Sequence, residues 1–263
     1  MPNPIKHQIN VAASILTSTI AGWRGTSVVK SEVSTARKSA DKSKPLKLYD
    51  MEGSPYCRAV REALTALGLD VEIRPCPKGG KRFRPEAVKL GGRQLFPLLI
   101  DPNTNKIMYE SGAIVDYLFS TYANRPTPKS YIARPWTPYI SGFGSVVSGL
   151  RGFRYRSAKP AEKQLELWSF ESSPYSRLVR ERLTELELPY LLHNIGKEQF
   201  ADMGPAVMRI KPGPYKPKPG GKREKVLAKL GRVQVPYLED PNTGTKLFES
   251  AAIIDYLEKQ YAR

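Results

Sequence analysis

Two short stretches hold the residue types best suited to chemistry: Gly53-Ser54-Pro55-Tyr56-Cys57-Arg58 and Ser172-Ser173-Pro174-Tyr175-Ser176-Arg177. Each sets a hydroxyl, and the first also a thiol, where a helix is expected to begin. A helix start gathers unpaired N–H donors and the positive end of the helix dipole, so it attracts thiolates and carboxylates. Serine suits the N-cap, and proline the first helical position, where a missing N–H costs nothing. The chemistry predicted is work at sulfur or the binding of an anion. The flanking sequence supplies the elements. An apolar-alternating run precedes each stretch (Leu46 to Tyr49; Leu165 to Phe170), and helical spacing follows it (Val60, Leu64, Leu67; Val179, Leu183, Leu186).

Two further pairs recur in the same order, Phe96-Pro97 with Val235-Pro236, and Glu110-Ser111 with Glu249-Ser250, the latter opening apolar helices. Ser-Pro-Tyr-Cys resembles the Cys-Pro-Tyr-Cys of glutaredoxins and the Ser-Pro-Phe start of some glutathione S-transferases. The X-Pro steps resemble that fold's cis-proline, and the Glu-Ser pairs its γ-glutamyl clamp. The chain thus resembles a tandem of glutathione S-transferase N-terminal (thioredoxin-like, glutaredoxin-like) domains, over about residues 46–122 and 165–263. The resemblance implies an α/β protein of two thioredoxin-like domains, each β-α-β-α-β-β-α around its own four-stranded sheet.

It also implies roles, with glutathione as cosubstrate. Ser54, and Ser173 in the second copy, would face the glutathione sulfur. Phe96 with Pro97, and Val235 with Pro236, would pair with the peptide as an added strand. Glu110, Ser111, Glu249 and Ser250 would take the γ-glutamyl end, while Tyr56 and Tyr175 pack over the loop. A full transferase adds a large helical domain, for which the forty-odd residues after the first repeat leave no room. The first position of the glutaredoxin motif is Ser54, and a hydroxyl cannot exchange disulfides. Cys57 remains open to two readings, a thiol activated by the dipole or a small buried hydrophobe. Cys76, set between prolines, is expected to be structural.

Composition narrows the classes. In 263 residues, 42 Lys and Arg face 25 acids, a net charge of +17. Such an excess attracts anions without naming one. Two cysteines fit a reducing, cytoplasmic setting, and His7 and His193, the only histidines, form no Cys/His metal cluster.

The domain plan is 1–45, 46–122, 123–164 and 165–263. Ile5, Ile9, Ala12, Leu16, Ile20 and Trp23 form one apolar stripe, expected to dock on the first repeat, with a membrane-surface helix as the alternative. Ser14, Thr17, Ser18 and Thr19 rule out a transmembrane span. Residues 24–45 read as a basic connector. Residues 123–164 carry eight basic side chains and one acid; Trp136, Phe143, Val147 and Leu150 are expected to pack between the repeats. The repeat offset grows from 119 residues (54 to 173) to 139 (97 to 236), which locates a twenty-residue Pro/Lys-rich insertion near 200–221.

The function expected is a glutathione-binding, thiol-active protein, transferase-like or a thioltransferase on glutathionylated or disulfide substrates, with its site in the first repeat. The alternatives are a non-catalytic tandem platform for a protein partner and binding to an anionic surface or nucleic acid, although no nucleic-acid motif is present.

Overall fold

The computed structural model describes residues 4–29, 43–132, 149–204 and 213–263. Among them are seven α-helices: α1 (Pro4–Ile20), α2 (Pro55–Leu67), α3 (Phe83–Gly91), α4 (Ser111–Ala123), α5 (Pro174–Glu185), α6 (Lys222–Leu230) and α7 (Ser250–Tyr261). The strands are β1 (Leu46–Asp50), β2 (Val71–Pro75), β3 (Leu98–Asp101), β4 (Lys106–Met108), β5 (Leu165–Ser169), β6 (Tyr190–Asn194), β7 (Tyr237–Asp240) and β8 (Thr245–Phe248).

Each repeat runs β-α-β-α-β-β-α, a mixed α/β arrangement that fits a thioredoxin-like fold. In the first, β1 lies parallel to β2 and antiparallel to β3, and β3 pairs with β4. The second copies this with β5 to β8. Two separate sheets were expected, and here the structure differs. Strands β2 and β6 pair antiparallel, with Val71 opposite Leu192 and Ile73 opposite Tyr190, giving one eight-stranded sheet in the order β4-β3-β1-β2-β6-β5-β7-β8. The pairing is physically economical, because it removes two exposed strand edges at once. The cores merge accordingly: Leu48, Leu64 and Leu118 belong to one buried cluster with Leu167, Leu183 and Leu257.

Period-two alternation sends the neighbouring residues to the other face. There Tyr49 and Leu98 pack with Phe83 of α3, and Trp168 and Tyr237 with Val226 of α6. Buried aspartates tie each hairpin to the last helix of its repeat. Asp101 accepts from Tyr117 at 2.7 Å and Tyr122 at 2.6 Å, and Asp240 from Tyr256 at 2.7 Å and Tyr261 at 2.5 Å.

The segments outside the repeats correct two further expectations. Helix α1 docks on the second repeat, not the first: Ser14 Oγ donates to Pro174 O and Ser18 Oγ to Ser172 O, both at 2.9 Å. Its buried face is Val11, Ser14, Thr17 and Ser18, so the apolar stripe points outward. The chain leaving α1 then crosses the loop before α5, through Ser172 N to Gly25 O (3.2 Å), and the loop after β6, through Lys197 N to Thr26 O (2.8 Å) and Val28 N to Lys197 O (3.0 Å). The segment ahead of the second repeat does the same to the first. Gly53 N reaches Gly152 O (3.4 Å), Lys78 N reaches Phe153 O (2.7 Å) and Tyr155 N reaches Lys78 O (2.9 Å). Each repeat is thus strapped by the chain that leads into the other. Gly25 and Gly152 have positive φ (+74° and +71°), and an added Cβ would meet the Cβ of Glu171 at 2.7 Å or of Glu52 at 3.0 Å. Leu150, expected to pack between the repeats, is exposed. Trp136, Phe143 and Val147 lie outside the described residues, as does part of the insertion.

Candidate functional site

Ser54 and Ser173 are the N-caps of α2 and α5. Each has extended backbone, and each side chain accepts from the N–H three residues on, Cys57 N at 3.4 Å and Ser176 N at 3.3 Å. Both serines are buried beneath the straps. Accepting at the cap leaves a hydroxyl hydrogen that can still be donated, which is what a sulfur-binding serine needs. Tyr56 and Tyr175 stand about half exposed.

Cys57 lies fully buried in the first turn of α2, with Met51 N donating to its Sγ at 3.5 Å. Burial pushes its thiol far up, with the nearby Asp50 carboxylate adding to the effect. The activating dipole is therefore overridden by desolvation. Cys76 is also a buried free thiol, raised by burial and then by Cys57.

Phe96-Pro97 and Val235-Pro236 are both cis. Phe96 is half-buried, with the Arg84 guanidinium 4.9 Å over its ring. The N-cap of α4 is Glu110, and Ser111 is the first helical residue. Glu110 and Glu249 occupy the same unusual conformation, with φ 68° and ψ 109° in one and φ 67° and ψ 120° in the other. Positive φ is costly for a glutamate, and such strain gathers at functional positions.

The two Glu-Ser pairs differ in what surrounds them. Among the described residues, the Glu110 and Ser111 side chains have no hydrogen-bond partner, and Glu110 is exposed. In the second repeat Gln234 Nε2 donates to Glu249, His7 Nε2 of α1 lies 3.1 Å from Ser250 Oγ, and Ser250 is buried. Helix α1 thereby runs from Ser250 to the loop that holds the second N-cap serine.

Behind the helix starts lies a buried charge cluster built twice, and the sequence reading missed it. Glu52, Arg58, Arg61 and Glu62 recur 119 residues later as Glu171, Arg177, Arg180 and Glu181. Arg61 donates to its own Asp50 at 2.6 Å and to Glu171 at 2.9 Å, while Arg180 donates to Glu52 at 3.0 Å. Each strap adds an arginine, Arg24 on Glu62 at 3.3 Å and Arg151 on Glu181 at 2.8 Å. Burial would raise Glu171, but Arg180 and Arg61 hold it down at about 2. Burial wins at Asp50, raised to about 6, and at Glu181, raised to about 7. Arg177 is lowered to about 9 by burial and then by Arg58.

The strand order within each repeat, with an N-cap serine opening its first helix, fits a thioredoxin-like α/β fold. The family model "Glutathione S-transferase, N-terminal domain" matches at residues 48–126 and again at 167–263, and the chain belongs to that family. It is 29% identical over 173 residues, 60% of this chain and 75% of the relative, to the "Glutathione S-transferase-like protein gedE" of Aspergillus terreus. A delta-class glutathione transferase of Nilaparvata lugens is 35% identical over 30% of this chain and 37% of that chain, with a TM-score of 0.27. The match thus spans well under half of that structure. Among the described residues, none of the helices is long and apolar enough to cross a membrane, and no group of side chains could hold a metal ion.

Proposed function

We propose that this is a glutathione-binding, transferase-like protein whose working site is in the first repeat. The observation that carries this reading is the contrast between the clamps. Glu110 and Ser111 are unengaged among the described residues, whereas Ser250 is buried against His7. In the first repeat the backbone beside Pro97 would pair with the cysteinyl unit of glutathione. Ser111 and the N-terminal N–H groups of α4 would take the γ-glutamyl carboxylate. The hydroxyl of Ser54 would donate to the sulfur and favour the thiolate, lowering the cost of nucleophilic attack. Cys57, buried and held protonated, suits packing better than thiol exchange, so hydroxyl-assisted transfer is preferred to a thioltransferase mechanism. The reducing, cytoplasmic setting of two free cysteines belongs to the same reading.

The burial of Ser54 under residues 151–153 favours a second reading, a non-catalytic platform that keeps the fold without the turnover. Calorimetric titration with glutathione separates the two. Saturable binding at one site per chain is expected, and heat no different from dilution would overturn the proposal.

A further inference from the structure

Helix α1 is held with the wrong face outward for a helix that merely packs. Its hydroxyl side is fixed to the second repeat through Ser14 and Ser18. The side facing water carries Ile5, Ile9 and Leu16, which are 71%, 62% and 49% exposed. Trp23, 42% exposed, extends the stripe beyond the helix end. Single exposed apolar residues are ordinary, but an aligned row of them on a rigidly docked helix marks an interaction surface. Lys6 stands exposed on the same helix.

Charge decides among partners. Residues 1–45 carry seven basic and two acidic side chains, and 123–164 carry eight and one. Together they hold twelve of the seventeen net positive charges. In sequence, the segments outside the two repeats thus carry both the exposed stripe and most of the positive charge. A second copy of the chain would bring like charges together. Nucleic acid would use the charge but leave isoleucine and leucine in water. A lipid surface with anionic headgroups satisfies both features at once.

We propose that the outer face of α1, with Ile5, Ile9, Leu16 and Trp23, docks on an anionic phospholipid bilayer, lying in its interface without spanning it. The hydroxyl face stays bonded to the second repeat, so the sheet is carried to the membrane as one body.

Flotation of the full chain with phosphatidylcholine vesicles, with and without phosphatidylserine, tests this. Binding is expected to the phosphatidylserine vesicles and to weaken as salt rises. The double variant Ile9→Ser/Leu16→Ser, at exposed positions and checked for an unchanged thermal melt, should lose about tenfold or more of that binding. A solvent-sensitive dye on Ile9→Cys, beside two buried native thiols, should shift to the blue on the same vesicles. Three results would overturn the proposal: failure to float with phosphatidylserine vesicles, equal flotation of the double variant, or a dimer in sedimentation that the variant dissolves.

Discussion

Arg61 and Arg180, the same residue of the two repeats, each reach across the sheet junction to a carboxylate of the other half. Arg61 Nε lies 2.9 Å from Glu171, and Arg180 Nη2 lies 3.0 Å from Glu52. The side chains involved are 2% exposed or less. Around them five buried carboxylates (Asp50, Glu52, Glu62, Glu171, Glu181) face four buried guanidiniums (Arg58, Arg61, Arg177, Arg180). Desolvating so many charges is expensive, and such a cluster adds little net stability over an apolar one of the same shape. Its effect is on geometry. The halves cannot slide or part without stranding charges, so the cluster fixes the β2–β6 register.

Removing one member should therefore cost more than the intact pair contributes. Arg180→Ala leaves Glu52 and Glu171 short of a partner, and a loss of about 3–5 kcal/mol is expected. Urea unfolding should also show one transition, because the sheet and core run through both halves. A loss below about 1 kcal/mol, or two separate transitions, would count against the shared core.

Stability should depend on pH with a definite sign. An acid whose folded pKa is raised binds its proton more tightly when folded, so its contribution falls as pH rises from the unfolded value to the folded one. Glu181 does this between 4.5 and about 7, and Asp50 between 3.8 and about 6. Glu171 acts oppositely between about 2 and 4.5, adding stability as pH rises. Burial lowers His7, which partly opposes the fall near its ordinary value of 6.5. The melting temperature of the native chain should drop from pH 5 to 7.5 relative to Glu181→Gln, by no more than about 3 kcal/mol in stability. Parallel curves for the two proteins would show that Glu181 does not titrate in that range.

Much of the fold was legible because backbone devices leave local marks. Ser-Pro at a helix start, proline at the cis steps and the period-two runs each reflect one element's own requirements. Doubling made them unmistakable. The edge pairing of β2 with β6 was not legible, since strand partners leave no local signal beyond the alternation both strands already show. The charge cluster had a signal that went unused: Glu52, Arg58, Arg61 and Glu62 repeat unchanged at 119 residues, the first in the loop ahead of a helix and the other three within it. The straps had one too, Gly22-Trp23-Arg24-Gly25 against Gly149-Leu150-Arg151-Gly152. Helix α1 was misplaced for a physical reason. An apolar stripe predicts the buried face only where hydroxyls lack better partners, and here Ser14 and Ser18 donate to backbone carbonyls of the second repeat.

The thiols should be silent in the native state. Reaction with a disulfide reagent requires thiolate, and both Cys57 and Cys76 are buried and pushed far above their ordinary value of 9.0. Ellman titration at pH 8 should label neither until denaturant is added, then both. Fast native labelling of Cys57 would restore it as a redox candidate.

The two clamps give the last prediction. If glutathione binds where Glu110 and Ser111 are unengaged, Ser111→Ala removes a hydroxyl that would meet the γ-glutamyl carboxylate. A hydrogen bond to a charged group contributes about 1.5–3 kcal/mol, so affinity should fall roughly 10- to 100-fold. Ser250→Ala removes the matching hydroxyl of a clamp already taken by His7, and affinity should not change. Both positions begin a helix, and neither hydroxyl is an N-cap, so Ser111→Ala should lose little stability and Ser250→Ala no more than its one contact with His7. Titration calorimetry reads both constants directly. Equal losses in the two variants would mean that α1 leaves the second clamp on binding. A loss in Ser250→Ala alone would reverse the assignment and make the second repeat the working one.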